Sequence, residues 1–228
     1  PEVLQDMLEA ASRASTCGNM QLYSLIVTQS RELREALAPC HFNQPMVTQA
    51  PCVITVCADV HRFSMWCEQR DAEPCYDNFA WFLNGVTDAL LAAQNLCVEA
   101  EAHGLGICYL GTTIYTAEEI ARILDLPKGV IPVTTIVVGH PDESPELTDR
   151  LPLDAVVHCE KYHHYTSSEI DELWAEKETS EETRRLLEEN GLPNLAQIFT
   201  RNRYRAEDNL AISRNYFALL KKQGFFNN

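Results

Sequence analysis

Apolar and polar positions fall into alternating runs that predict a protein of mixed helices and strands. Val3, Leu4, Met7, Leu8 and Ala11 recur at helical spacing over residues 2–14, and after the polar turn STCGN the run SLIV reads as a short buried strand. Ser30 stands as an N-cap before RELREALA, and CVITVCA from Cys52 follows the loop HFNQPMVTQAP as a second strand. Residues 59–78 hold Trp66, Cys67 and Cys75 with no clear period and read as irregular or mobile. The strongest helical signal runs from about Asn84 to His103, where Val86, Ala89, Leu90, Ala93, Leu96, Cys97 and Ala100 form a broad apolar face. Gly104 ends it as a left-handed C-cap. The strand LGICYLG follows, then Thr116 and Glu119 predict a capping box for a helix through Leu124, closed by Pro127. VTTIVVGH is a further strand, rich in β-branched residues.

The pattern changes after Pro141. Pro145 and Pro152 join it in a stretch that must be extended and looped, because each ring removes an amide donor and restricts the residue before it. Three charged helices are expected beyond, near residues 168–178, 181–189 and 207–222. Leu210, Phe217 and Leu220 give the last a narrow apolar stripe, suited to packing on the main body or a partner chain. Few strands are joined as repeated βαβ units, so the fold class expected is α+β, a sheet sandwiched by helices. No GxGxxG occurs. The nearest glycine set, Gly104, Gly106 and Gly111, follows a helix and enters a strand, which is the wrong context for a dinucleotide-binding turn.

Charge narrows the partners. With 18 basic against 33 acidic residues, the net charge of -15 repels nucleic-acid phosphates and anionic membranes alike. No apolar run approaches the roughly 20 residues of a spanning helix, so a cytoplasmic protein is expected. Nine cysteines, an odd number with several inside apolar runs, read as free thiols in a reducing compartment. No metal site is expected. There is no CxxC, and Cys52 and Cys57 would face opposite sides of one strand. Adjacent His163 and His164, with Tyr162 and Tyr165, read as a surface cluster.

Four ordered blocks carry a resemblance: ASRASTCGNMQLYSLIV, DALLAAQNLCVEAEAHGLGICYLG, LDLPKGVIPVTTIVVGHPDESPELTDRLP, and FTRNRYR with LLKKQGFF. Together they resemble the nitroreductase family, closest to its NADPH-preferring, oxygen-insensitive nitroreductases and flavin reductases. The resemblance implies a central, mostly antiparallel sheet between helices, with residues 1–160 as the core and 161–228 as a helical extension of the same domain. It also implies an entwined homodimer with FMN at the interface. The activity implied is two-electron, ping-pong transfer from NAD(P)H to small acceptors such as nitroaromatics, quinones or flavins. The alternatives are an FMN enzyme of the same fold with different chemistry, such as reductive dehalogenation or flavin breakdown, and a non-catalytic flavin-binding protein. Residues 59–78 are the candidate lid for the former.

The resemblance also assigns residues. Thr16, Asn19 and Gln21 match the turn that holds the flavin, Gln44, with Met46 near it, the glutamine at the ring edge, and Tyr109, Leu110, Gly111 and Thr112 the segment whose amides approach the ring. Arg150 matches the phosphate-binding arginine, whose forked donors suit that group, and Arg201 and Arg203 match positions for the nicotinamide nucleotide. Two departures stand out. Thr148 replaces a family lysine, and the family's arginine-rich opening segment has no counterpart after Pro1, so either a preceding piece carries it or phosphate binding is altered. Taken without the family, STCGNMQ is a helix-ending turn, Asp88 caps a local hydrogen bond, Arg150 pairs with Glu146 or Asp149, and the arginines from 201 to 205 balance Glu207 and Asp208.

Overall fold

The computed structural model describes residues 2–226. The chain divides into two compact units: residues up to Asp142 together with those from Ile212 onward, and residues 143–211.

The first unit is built on a four-stranded sheet of β1 (Tyr23–Thr28), β2 (Cys52–Asp59), β3 (Gly106–Leu110) and β4 (Val130–Gly139), ordered β1-β2-β4-β3. Every neighbouring pair is antiparallel, as expected for this fold class. All eight residues of β2 are buried, in keeping with its mostly apolar sequence: both faces are covered. Pro132 lies inside the other central strand, where it would remove a ladder bond. A register shift between Val56 and Cys57 accommodates it, with Val56 opposite Thr134 and Cys57 opposite Pro132.

On one sheet face, Tyr23, Ile54, Val56, Ile136 and Val138 pack against α1 (Glu2–Ser12) and α5 (Phe79–Ala102). Ala89, Ala92, Ala93 and Ala100 line the inner side of α5, so the helix axis comes close to the strands. Gly85 shows the limit: a Cβ there would stand 3.1 Å from Ala58 Cβ and 3.2 Å from the Leu22 carbonyl oxygen. On the opposite face, Val53, Val137 and Leu110 pack against Ala38 and Val47, from the segment formed by α2 (Arg31–Leu37), a 3-10 turn (Ala38–His41) and α3 (Pro45–Gln49). The unit also contains α4 (His61–Glu68), α6 (Ala117–Ile123) and the later part of α10 (Ala206–Lys222).

Several local expectations hold. Ser30 Oγ accepts from Leu33 N at 3.2 Å, and Gly104 has φ +71 after α5. Others need correction. Residues 61–68 are helical, and the rings of Phe63, Trp66, Tyr76 and Trp81 form a chain of contacts at 4.7–5.3 Å. Aromatic contacts, invisible to periodicity, order that segment. α5 starts at Phe79 with Asn78 as its cap. Thr116 makes no capping bond; its hydroxyl donates instead to Cys40 O at 2.7 Å. In α10 the buried residues are Leu219 and Leu220, packed with Phe225 near Leu22 and Phe82, whereas Leu210 and Phe217 are exposed.

The second unit holds α7 (Ser167–Thr179), α8 (Glu181–Asn190), α9 (Leu195–Gln197) and a π-helical turn (Ile198–Arg203). Thr166 and Glu169 form a reciprocal capping box, and Gly191, φ +61, closes α8.

Candidate functional site

Two of the expected segments meet on the sheet face opposite α5. The 3-10 turn ends at His41, and Phe42 and Asn43 both take φ 55, reversing the chain so that Gln44 opens α3. Pro45 at the first helical position suits this start. Met46 and Gln44 lie on the outer side, Met46 exposed and Gln44 half-buried. Across from them β3 runs out at Leu110 into a single turn, Gly111–Ile114. Leu110 and Thr112 are buried while Tyr109 and Gly111 are exposed. The amides of Gly111 and Thr112 open this turn, ahead of its first internal bond. A Cβ built on Gly111 would meet nothing within 4 Å, so the backbone there borders open space.

The two segments are tied by side chains that sequence reasoning missed. His41, 0% exposed, places Nδ1 2.8 Å from Thr112 Oγ1. Burial lowers its pKa to about 4, so the imidazole is neutral near pH 7. Thr116 provides a second tie through Cys40 O. Thr113 Oγ1 lies 2.9 Å from Leu110 O and 3.0 Å from Thr135 Oγ1, seating the turn on β4. Arg34 donates to the carbonyls of Thr48, at 2.6 Å, and Ala50, which holds the far end of α3. Burial and the neighbouring Cys97 thiol push the Tyr109 phenol well up, so it stays protonated. Beside this region a groove of about 370 Å³ runs between Met46 and Ala50 on one side and Gly106, Cys108, Gly139 and His140 on the other.

The third segment is held elsewhere. Asp88, in the middle of α5 and 1% exposed, accepts from Cys17 N at 2.8 Å and Leu22 N at 3.0 Å. Its carboxylate therefore brackets the turn Thr16–Gln21 from the α5 side of the sheet, a long-range role in place of the local one read from sequence. Between those anchors Gly18, Asn19 and Gln21 take φ of 55–56, and Gln21 Nε2 donates to Asn19 O at 3.1 Å. Arg62 donates to the carbonyls of Gln21 and Tyr23. Thr16 is half-buried; Asn19 and Gln21 are exposed. Thus the structure brings Gln44 to Tyr109–Thr112 but leaves Thr16, Asn19 and Gln21 on the other side.

The remaining assigned residues belong to the second unit. Arg150 is exposed, and Nη1 donates to Thr148 Oγ1 at 2.7 Å and to Asp149 O at 2.8 Å. Asp149 in turn is paired with Lys177 at 2.9 Å. Arg201 and Arg203 are exposed on the π-helical turn, Arg203 lying 5.3 Å over the Phe199 ring. Arg205 pairs with Glu207 and Asp208, as read from the sequence. Among the described residues no cluster of histidine, cysteine and carboxylate groups could hold a metal ion. No helix among them is long and apolar enough to cross a membrane.

Comparison with known proteins bears on this arrangement. A Bacillus subtilis protein named FMN reductase (NADPH) is 32% identical over 164 residues, which cover 71% of this chain and 66% of that protein. A Staphylococcus aureus NADPH-dependent oxidoreductase is 35% identical over 166 residues, with the same coverage. The chain thus matches 66% of the length of these curated relatives. A crystal structure of an oxidoreductase from Bacteroides fragilis superposes with a TM-score of 0.97 at 49% identity, covering 100% of this chain and 92% of that one. The family model described as the nitroreductase family matches residues 1–140. The chain belongs to the nitroreductase family.

Proposed function

We propose that this protein is an FMN-dependent oxidoreductase that takes electrons from NAD(P)H and delivers them, two at a time, to a small acceptor such as a nitroaromatic, a quinone or a free flavin. The observation that carries the reading is the junction of the Gln44 turn with Tyr109–Thr112, because those are the strips that the family resemblance assigns to the flavin ring. The names of the relatives support the cofactor and the donor. FMN, when bound, supplies the ring that accepts and returns hydride.

The residues present fit such a ring. Gly111 borders open space where the amides of Gly111 and Thr112 start their turn, Gln44 offers an amide that both donates and accepts, and Met46 offers an apolar, adaptable surface. Fixed donors of this kind stabilise negative charge without reorganising. The phosphate end is leaner. Arg150 is the assigned cation, and Thr148 adds only a hydroxyl where a lysine would add charge. Arg201 and Arg203 are our assignment for the nicotinamide nucleotide.

The same geometry supports a homodimer. Thr16, Asn19 and Gln21 are anchored on the α5 side, away from Gln44, which favours a flavin site built from two copies. The exposed apolar row Leu83, Leu90, Leu91 and Val98 on α5 supports such an interface, with residues 161–228 as the extension that wraps it. Nine free cysteines support a cytoplasmic location. The test is steady-state oxidation of NADPH by the FMN-loaded protein with a nitroaromatic or quinone acceptor. Turnover that needs both FMN and the acceptor is expected; its absence with every acceptor class would defeat the reading.

A further inference from the structure

We propose that His41 is a positioning residue: through Thr112 it holds the Gln44 turn against Tyr109–Thr112 and so fixes the spacing of the two strips that meet the flavin ring. This rests on the FMN reading above.

His41 is built into the Gln44 turn. Gln44 N donates to His41 O at 3.1 Å, and Asn43 N donates to Ala38 O at 2.9 Å, so a shift of the imidazole carries directly to Gln44. On the other side, Thr112 O accepts from Tyr115 N at 3.0 Å, which makes Thr112 part of the turn's own frame. The bond between His41 Nδ1 and Thr112 Oγ1 therefore joins two rigid turns rather than two loose side chains.

Its chemistry argues against simple core filling. His41 is completely buried, yet Nε2 has no hydrogen-bond partner among the described residues. A buried polar atom left unpaired costs free energy that a leucine of similar size would avoid. Leu37, Ala38 and Cys40, its near neighbours in sequence, are all buried in apolar clusters, so this segment would suit a leucine. What leucine could not supply is the single directional bond to Thr112, which sets one geometry for both strips.

The nitrogen used gives the test. An asparagine amide can occupy the place of Nδ1, whereas a glutamine amide reaches toward the place of Nε2. We measure FMN affinity by quenching of flavin fluorescence, with thermal melting of the FMN-free protein alongside. His41→Leu and Thr112→Val are each expected to weaken FMN about tenfold, the loss of roughly one oriented hydrogen bond. The double variant should be no weaker than either single one. His41→Asn should recover most of the affinity, and His41→Gln should not. Should His41→Leu fail to fold, Thr112→Val against Thr112→Ser carries the same comparison. A His41→Leu protein that binds FMN as tightly as the parent, or variants whose effects simply add, would overturn the proposal alone. A parent protein that binds no FMN would overturn the FMN reading and this inference with it.

Discussion

Asp88→Ala should destabilise the protein by about 3–5 kcal/mol. The carboxylate is buried in the middle of α5 and accepts two backbone amides from residues five positions apart, Cys17 and Leu22, at 2.8 and 3.0 Å. Hydrogen bonds to a charged group contribute about 1.5–3 kcal/mol each. Two of them give about 3–6 kcal/mol, from which relief of the buried carboxylate's desolvation subtracts a part. Leu22 is itself completely buried, so its amide would be left without a partner. The bracketed turn holds three residues with positive φ, two of them not glycine, and it loses its anchors together. Asp88→Asn keeps one acceptor oxygen but turns an N–H toward an N–H, so about 2–3 kcal/mol is expected. Urea denaturation measures both, with the midpoint shifting at unchanged slope. A loss below about 1 kcal/mol for Asp88→Ala would refute the view that this side chain holds the turn.

His41 makes stability depend on acid. Its folded pKa, about 4, lies below the ordinary 6.5, so the unfolded chain takes up the proton first and stability falls as pH drops from about 6.5 to about 4, on the order of 3 kcal/mol. Denaturation of the parent and His41→Asn across that range should show the difference, which is flat above pH 7. If the proposed homodimer uses the exposed row of α5, Leu90→Arg, which places a charge there, should shift dimer to monomer in sedimentation, with FMN affinity falling in parallel. Thr148→Lys should tighten FMN binding by about tenfold at low salt, with the gain shrinking as salt is raised, because it adds a charge beside Arg150. Fluorescence titration at two ionic strengths checks this.

Strand positions were legible because runs such as CVITVCA and VTTIVVGH are apolar and β-branched, and both proved to be central, doubly covered strands. The long α5 was legible from its alanine-rich face, and Ser30 and Gly104 from cap chemistry. Residues 61–68 were not, since four aromatic rings order that segment through contacts between residues far apart in periodicity. Within the site, family-like segments could be placed, but not their partners. Asp88 looks like a polar interruption in an apolar helix face, and only the fold shows it reaching 71 residues back to Cys17. His41 has no pattern around it at all; its partner Thr112 is likewise 71 positions away. A capping-box spacing misled at Thr116 because Glu119 N donates to the Thr116 carbonyl oxygen, while the hydroxyl is turned to donate to Cys40 O.

The central claim is tested most directly by loading the protein with FMN, removing oxygen, adding NADPH and recording the visible flavin spectrum. Prompt bleaching, with colour restored on adding a quinone, is the predicted result. A protein that binds no FMN, or binds it and keeps its colour with both NADPH and NADH, would contradict the account.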